Sequence, residues 1–310
     1  MHSAETTKRH LVVFGAGYVG GALARRALAA GWRVTALTRN PTKAEELKAA
    51  GCAVVTAELA SQAWWDAPEL RAGAERVAVT VASGGGGVAG YRRSYVEGLA
   101  SVVAWGRRLE ERGADSGEKG ICGHLIYTSS TSVYPQDGGV RVTESAEVGG
   151  EAETTQALVE AEQIAATWSG RASTVLRLAG IYGPERTYLV EQVRGGEVAG
   201  RADFHLNLIH RDDILSGMEA VWSAGEPGGA GVFNLADDGA ATKGEVVAWL
   251  AAKLGVTAPR FTGAPAGGRR TVTPDRIIDA GRAKAVLGWR PAHPSYREGY
   301  AQIMKTAIQA

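Results

Sequence analysis

Cysteine is nearly absent from this sequence. Its 310 residues include only Cys52 and Cys122, which stand in separate apolar segments without a Cys-x-x-Cys or Cys/His spacing. This scarcity argues against a disulfide framework and against a cysteine-built zinc site. We therefore expect two reduced thiols in the protein core.

The sequence also lacks a long apolar run and an excess of either charge. Its 34 Lys and Arg residues stand against 33 Asp and Glu residues, a formal net charge of +1. The polar start MHSAETTKRH leads into the run LVVF, which is far too short for a membrane span, and no signal-peptide cleavage pattern follows. A near-neutral chain gives no electrostatic support to nucleic-acid binding. We expect a cytoplasmic protein with neither a membrane nor a nucleic-acid partner.

What the sequence does contain is an alternation of short apolar runs with segments of helical period. Such alternation is typical of βαβ units that surround a buried parallel sheet. The predicted strands are 11–17, 32–39, 52–59, 76–83, 123–130 and 173–180, and the predicted helices are 21–30, 41–50, 91–113 and 154–168. The pattern predicts an α/β protein with a doubly wound parallel-sheet Rossmann fold.

The alternation loosens in the second part of the chain. Strand and helix patterns return at 207–222, 232–238 and 242–255, and the residues after Pro259 are rich in Gly, Pro and Arg. We predict a dinucleotide-binding domain at 1–182 and 207–236. A smaller C-terminal substrate lobe is then expected at 183–206 and 237–310.

A Gly-x-Gly-x-x-Gly motif stands between the first predicted strand and the first predicted helix. Gly15 permits a tight turn, Gly17 lets the backbone approach a pyrophosphate, and Gly20 lets helix and strand pack closely. The helix N-terminus adds free N–H groups and a positive dipole end. The alternative is a glycine-rich turn that binds nothing, but the strand and helix around the motif favour a dinucleotide.

The end of the second predicted strand indicates which dinucleotide is bound. NAD-specific units place an acid there against the ribose 2′-hydroxyl, whereas this sequence reads Leu37-Thr38-Arg39-Asn40. Arg39 is suited to pair with a 2′-phosphate. We expect NADP(H) to be favoured over NAD(H), and the alternative for Arg39 is an ordinary exposed loop arginine.

An ordered set of segments resembles the extended short-chain dehydrogenase/reductases of the NAD-dependent epimerase/dehydratase family. The segments are GAGYVG, LIYTSSTSVYP, TVLRLAGIYGPER, LIHRDDI, VFNLADD and AKAVLGWRP. By this resemblance His210 and Asp213 brace the junction between the lobes. Together with the glycine motif, it implies that the cofactor-binding residues are Gly15, Gly17, Tyr18, Val19, Gly20, Thr38, Arg39, Val81, Ala82, Thr128, Ser129, Gly180 and Ile181.

The sequence departs from this family at its Tyr-x-x-x-Lys pair. If Glu162 is matched to the family's helix glutamate, the tyrosine position falls on Thr154 and the lysine position on Leu158. Neither residue can replace the original chemistry directly. The chain is most similar to an atypical subgroup, the bacterial YeeZ-like proteins, and that resemblance brings no reaction with it.

Catalytic candidates are therefore sought elsewhere. We expect Ser130 to polarise the reacting group, and Tyr134 is a candidate proton donor with a packing role as its alternative. Predicted substrate contacts are Tyr182, Arg186 and Arg270, of which the arginines suit an anionic small molecule and are otherwise solvated surface residues. His205 and His210 alternate along a predicted strand without a carboxylate cluster, so we expect no metal site.

Two functions are consistent with these residues. The first is an NADP(H)-dependent oxidoreductase that reduces a small carbonyl or imine compound. The second is a catalytically silent NADP(H)-binding sensor that responds to the cofactor's redox state, an alternative motivated by Thr154 and Leu158. A homodimer is left open in both.

Overall fold

The apolar runs and helical segments of the sequence form strands and helices close to the expected positions. A computed structural model describes residues 9–116, 121–170, 172–264 and 274–309. Up to residue 130 the elements are β1 (His10–Phe14), α1 (Tyr18–Ala29), β2 (Arg33–Thr38), α2 (Pro41–Ala49), β3 (Ala53–Thr56), β4 (Gly73–Val79), α3 (Gly87–Tyr91), α4 (Gly98–Ser116) and β5 (Ile121–Ser130).

The remaining elements are shorter and more varied. A π-helical segment, Arg92–Glu97, joins α3 to α4. After β5 follow β6 (Val140–Val142), α5 (Glu153–Ala165), β7 (Ser173–Leu178), β8 (Gly180–Tyr182), α6 (Tyr188–Arg194), β9 (Glu197–Val198), β10 (Leu208–His210), α7 (Arg211–Ala224), β11 (Gly231–Leu235), α8 (Lys243–Leu254), β12 (Arg260–Phe261), β13 (Arg276–Ile278), α9 (Gly281–Leu287) and α10 (Tyr296–Gln309).

Seven strands form one sheet in the order β11-β7-β5-β4-β1-β2-β3. β1 pairs in parallel with β2 on one side and with β4 on the other, so the strand order reverses beside β1. All five residues of β1 are buried, as expected for a central strand with helices on both faces. The predicted parallel-sheet Rossmann fold is confirmed. Its switch point lies at the carboxyl ends of β1 and β4, where such sheets bind ligands.

The chain divides into two compact units. The first comprises 1–133, 149–176 and 218–232, and the second comprises 134–148, 177–217 and 233–310. These bounds differ from the expected domains, since 134–148, 177–182, 207–217 and 233–236 fall in the second unit. The division into a cofactor-binding and a substrate-binding part stays a prediction.

The first unit has an aromatic core beneath the sheet. Phe14 lies 5.0 Å from Trp64 and 5.4 Å from Trp105 between ring centroids, and both tryptophans are 1% exposed. The indole N–H of Trp64 donates to the carbonyl of Leu59 at 3.0 Å. Trp64 is therefore a core residue, and Phe14, the last residue of β1, is held directly before the glycine turn.

The second unit has its own core of short parallel strand pairs and helices. β8 pairs with β10, β9 with β12 and β6 with β13. Helix α8 begins with a capping box in which Thr242 and Glu245 exchange side-chain and backbone hydrogen bonds. Across the described part of the chain, the helices are either too short or too polar to cross a lipid bilayer.

Candidate functional site

The turn from β1 to α1 requires glycine at its first position. Gly15 has a φ of +85°, and a Cβ added to it would lie 2.7 Å from the backbone nitrogen of Val81. Its N–H donates to the carbonyl of Leu37 at 3.0 Å. A side chain at this position would be strained by the backbone angle and would collide with the residue that follows β4. Gly15 thus allows the three strands β1, β2 and β4 to meet at the turn.

Gly20 serves the contact between helix α1 and the sheet. A Cβ at this position would overlap the side-chain oxygen of Thr80 and would lie 2.6 Å from the carbonyl of Gly15. Thr80 Oγ1 donates to that same carbonyl at 2.8 Å. The helix and the turn are therefore in direct contact, as the third glycine of a dinucleotide motif requires.

Gly17 differs from the other two glycines because the space beside it is open. A Cβ at this position would meet no atom within 4 Å. Gly17 is the N-cap of α1, no side chain caps this helix end, and no acidic residue lies in the first turn. Tyr18 is half-buried and Val19 is buried at the helix start. A helix N-terminus with backbone N–H groups, no side-chain cap and room beside its N-cap fits a pyrophosphate.

The carboxyl end of β2 presents Arg39 beside an acid that sequence reasoning missed. Thr38 is buried and accepts a hydrogen bond from the N–H of Asn40 at 3.2 Å. The Arg39 side chain is 50% exposed, and its Nη1 lies 3.5 Å from Glu58 Oε2. Glu58 follows β3, so its only signal in the sequence is an acid directly after the third apolar run. A neighbouring carboxylate sets the orientation of Arg39 without burying it.

The residues that follow β4 lie against the glycine turn. Val81 is half-buried and forms the surface that Gly15 approaches, and Ala82 is exposed. The loop continues through Gly84, Gly85, Gly86 and Gly87, all with positive φ. The structure thus brings Val81 to the glycine turn, while Ala82 is exposed; their contact with a cofactor stays a prediction.

Three hydroxyl residues end β5 and have different partners. Thr128 Oγ1 donates to the carbonyl of Val79 at 3.2 Å, and Ser129 Oγ donates to Glu162 Oε1 at 2.6 Å in a buried contact. Ser130 Oγ accepts from the N–H of Ser132 at 3.1 Å and is only half-buried. The Ser129 O–H is therefore occupied by its hydrogen bond to the Glu162 carboxylate. Ser130 uses its oxygen as an acceptor, and among the described residues its own O–H has no hydrogen-bond acceptor.

Helix α5 carries the positions of the family's missing catalytic pair. Leu158 is 3% exposed and packs in the core, whereas Thr154 is half-buried. None of the nine tyrosines in the sequence is followed by lysine four positions later. Glu162, one turn beyond Leu158, holds Ser129 instead. This helix therefore braces the end of β5 and supplies no tyrosine and lysine pair.

Tyr134 belongs to the second unit, where its hydroxyl is bound on both sides. It donates to Asn234 Oδ1 at 2.8 Å and accepts from Arg177 Nη1 at 2.8 Å. The side chain is 1% exposed, and burial raises the pKa of its hydroxyl. A buried phenol with two fixed partners is poorly suited to donate a proton to a substrate. These contacts favour the packing alternative over the catalytic one.

The segment from Gly180 to Tyr182 forms β8 in the second unit. A Cβ on Gly180 would lie 2.9 Å from the carbonyl of Asn207, which accepts from the Gly180 N–H at 3.0 Å. Ile181 is half-buried. Tyr182 is 3% exposed, and burial raises the pKa of its hydroxyl well above the ordinary value. The Tyr182 ring is a core element of this unit, which argues against the predicted substrate contact.

The two predicted substrate arginines have different outcomes. Arg186 is exposed and follows a tight bridge with Gly183. Arg270 lies outside the described residues. Neither residue has a tested role, and both stay predictions.

Asp213 of the second unit lies beside two histidines, His210 and His293. Its Oδ1 accepts from the N–H of Ala292 at 2.6 Å, and its Oδ2 accepts from the N–H of His293 at 3.1 Å and from His293 Nδ1 at 2.9 Å. The His210 ring lies 3.8 Å from the His293 ring, at 39° between planes. Burial lowers the pKa of His210 to about 4, so this ring is neutral at pH 7. Asp213 thereby ties the start of α7 to the segment before α10.

This cluster is the group of described residues that comes nearest to a metal-binding set. Candidate ligand atoms of His210, Asp213 and His293 lie within 4.8 Å of one another. However, both carboxylate oxygens of Asp213 already accept N–H groups, and Nδ1 of His293 is hydrogen-bonded to one of them. His205 pairs with Asp275 at 2.7 Å and takes no part. We therefore regard the cluster as structural.

The NAD dependent epimerase/dehydratase family matches residues 11–236. The chain is 24% identical to the protein YeeZ of Escherichia coli K12 over 290 residues, which cover 92% of this chain and 97% of YeeZ. It is 30% identical over 168 residues to the 3-diazoavenalumate denitrifying reductase of a Streptomyces species, covering 48% of this chain and 53% of that protein.

A solved structure matches nearly the whole chain. It is MoeE5 in complex with UDP-glucuronic acid and NAD, at a TM-score of 0.78 and 22% identity, covering 97% of this chain and 100% of that one. This likeness supports the fold. The resemblance noted in the sequence, including the similarity to YeeZ, is confirmed.

Proposed function

The chain belongs to the NAD-dependent epimerase/dehydratase family, and we propose that it is an oxidoreductase that binds NADP(H) in preference to NAD(H) and reduces a small carbonyl or imine compound. The observation that carries this proposal is the turn after β1. Gly15 and Gly20 bring strand and helix together there, and Gly17 leaves open space beside an uncapped helix end. This geometry fits the pyrophosphate of a dinucleotide.

The preference for NADP(H) is supported by the end of β2. No acid occupies Leu37 to Asn40, and the Arg39 guanidinium is half-exposed with a long ion pair to Glu58. An acid at this point would bind the 2′-hydroxyl of NAD(H) and repel a 2′-phosphate. Arg39 instead attracts a 2′-phosphate, because a guanidinium binds a phosphate through charge-assisted hydrogen bonds.

The proposed chemistry uses the hydroxyl that β5 leaves available. When bound, the nicotinamide supplies the hydride. For a carbonyl or an unprotonated imine, Ser130 donates its O–H to the substrate oxygen or nitrogen on which electron density grows. Ser129 is held by Glu162 and acts as a positioning residue. For a carbonyl substrate, the proton that completes the alcohol comes from water or from the substrate itself, since α5 carries no tyrosine and lysine pair.

An iminium substrate suits these residues best. Addition of a hydride to a protonated imine neutralises a charge and creates no alkoxide, so the protein needs only to orient the reactants. The Streptomyces relative is described as a reductase, which supports reduction as the class of reaction. The substrate is proposed as a small molecule.

NADPH oxidation across a panel of carbonyl and imine compounds tests this function. We expect slow turnover of at least one compound of the panel, with Ser130→Ala lowering kcat/KM about tenfold or more on a carbonyl or an unprotonated imine. Thr154→Ala is the matched control on the helix that would have carried the tyrosine, and it should change kcat/KM little. Tight NADPH binding with no turnover on the whole panel would contradict the enzyme and favour the sensor. A large loss in Thr154→Ala alone would overturn the role of Ser130.

A further inference from the structure

Glu58 in the first unit lies close to two guanidinium groups. Its Oε2 is 3.5 Å from Arg39 Nη1, and its Oε1 is 3.9 Å from Arg93 Nε. Arg39 follows β2, Glu58 follows β3, and Arg93 lies on the π-helical segment before α4. One carboxylate thus gathers two cationic side chains that are far apart in the sequence.

The cluster is open to a further anion. The Arg39 and Arg93 side chains are 50% and 61% exposed, and Glu58 is 30% exposed. Both ion pairs are longer than a hydrogen bond, so each is weak and readily exchanged. Two guanidiniums beside one carboxylate leave an excess of one positive charge at this point of the surface.

The loop after β4 lies against the same cluster. A Cβ on Gly84 would overlap Arg39 Nη2, and Gly84 has a φ of +65°. Ser94 Oγ, one residue beyond Arg93, donates to the carbonyl of Ser83 at 3.4 Å. The loop therefore contacts Arg39 through Gly84. It contacts the segment that carries Arg93 through Ser83. The same short stretch of backbone thus lies beside Arg39 and beside the residue that follows Arg93.

We propose that Arg93 is a second residue that binds the 2′-phosphate of NADP(H), and that Glu58 holds Arg93 and Arg39 side by side before the cofactor arrives. The proposal rests on the NADP(H) preference of the proposed function and deepens it. A phosphate monoester offers three acceptor oxygens, which suffice for two guanidiniums. Holding like charges together in the free protein lowers the cost of ordering them on binding.

Affinities for NADPH and NADH, measured by titration of the purified full chain, test this assignment. We expect Arg93→Ala to weaken NADPH binding about tenfold while NADH binding changes less than about twofold, because NADH lacks the 2′-phosphate. Arg93→Lys should recover part of the loss, since it restores the charge without the guanidinium geometry. Arg39→Ala serves as the reference for a residue already assigned to the 2′-phosphate.

Arg92→Ala is the matched control. Arg92 is the neighbouring residue on the same segment, is similarly exposed, and pairs with Glu160 at 2.9 Å. Its removal should leave both affinities unchanged. If Arg39→Ala lowers the preference for NADPH and Arg93→Ala leaves it intact, the assignment of Arg93 is wrong while the proposed function stands. If the native chain binds both cofactors equally, the NADP(H) preference itself fails.

Discussion

Replacement of Gly20 by alanine should destabilise the protein and disturb the cofactor turn together. The added Cβ would overlap Thr80 Oγ1, would lie 2.6 Å from the Gly15 carbonyl and would touch Val13 Cγ1 at 3.0 Å. Two of these three contacts involve the hydrogen bond from Thr80 to Gly15. Overpacking costs roughly 1–3 kcal/mol and the loss of that hydrogen bond about 1 kcal/mol. Alanine's helix propensity returns about 1 kcal/mol, so we expect a net loss of about 1–3 kcal/mol.

Gly21, the next residue of the same helix, provides the control. Its added Cβ would meet nothing closer than 3.5 Å, an ordinary contact. Gly21→Ala should therefore stabilise the chain by about 0.5–1 kcal/mol through helix propensity alone. Urea denaturation of both variants gives the two free energies of unfolding, and titration with NADPH gives the affinities. Equal stability of the two variants, or native NADPH affinity in Gly20→Ala, would refute the close contact of helix and turn.

Two further predictions concern buried polar groups of the second unit. Tyr134→Phe removes the hydroxyl that Arg177 and Asn234 share. Urea denaturation should show a free energy of unfolding that is lower by about 1–3 kcal/mol, while kcat/KM stays near native. A large loss of kcat at native stability would restore a catalytic role for Tyr134. Burial raises the pKa of Asp237 to about 8. In the folded state this carboxyl therefore stays protonated at pH values at which the unfolded chain has lost the proton. The free energy of unfolding should fall as pH rises from about 4 to 8. Asp237→Asn should flatten that slope. Exposed Asp238→Asn should reduce the slope less, because burial is the larger cause of the raised pKa and the charge of Asp238 a smaller one. An unchanged slope in Asp237→Asn would contradict the shift.

Sequence patterns were sufficient for the parts of the fold that local physics determines. The apolar run before Gly15 became β1, and its alternation with helical segments correctly predicted a parallel sheet. Pro41 begins α2 as expected, behind an N-cap formed by Asn40. Each of these features depends on residues that are close along the chain.

Contacts between segments that are far apart in the chain could not be predicted from the sequence. Glu58 lies beside Arg39 because β2 and β3 are paired strands. No pattern near Arg39 in the sequence predicts this acid. Ser129 was expected beside the cofactor, but its proton goes to Glu162, 33 residues away. His293 stacks on His210 and binds Asp213 from the far end of the chain. Such pairs are determined by the fold, so a single sequence gives no period or spacing that marks them.

The most direct test of the account is titration of the native chain with NADPH and NADH beside Gly17→Val. Gly17 has open space around it, so valine should leave a folded chain, verified by circular dichroism, and should occupy the position meant for the pyrophosphate. We predict that the native protein binds NADPH more tightly than NADH and that Gly17→Val binds neither cofactor. Near-native NADPH affinity in folded Gly17→Val would contradict the placement of the cofactor at this turn.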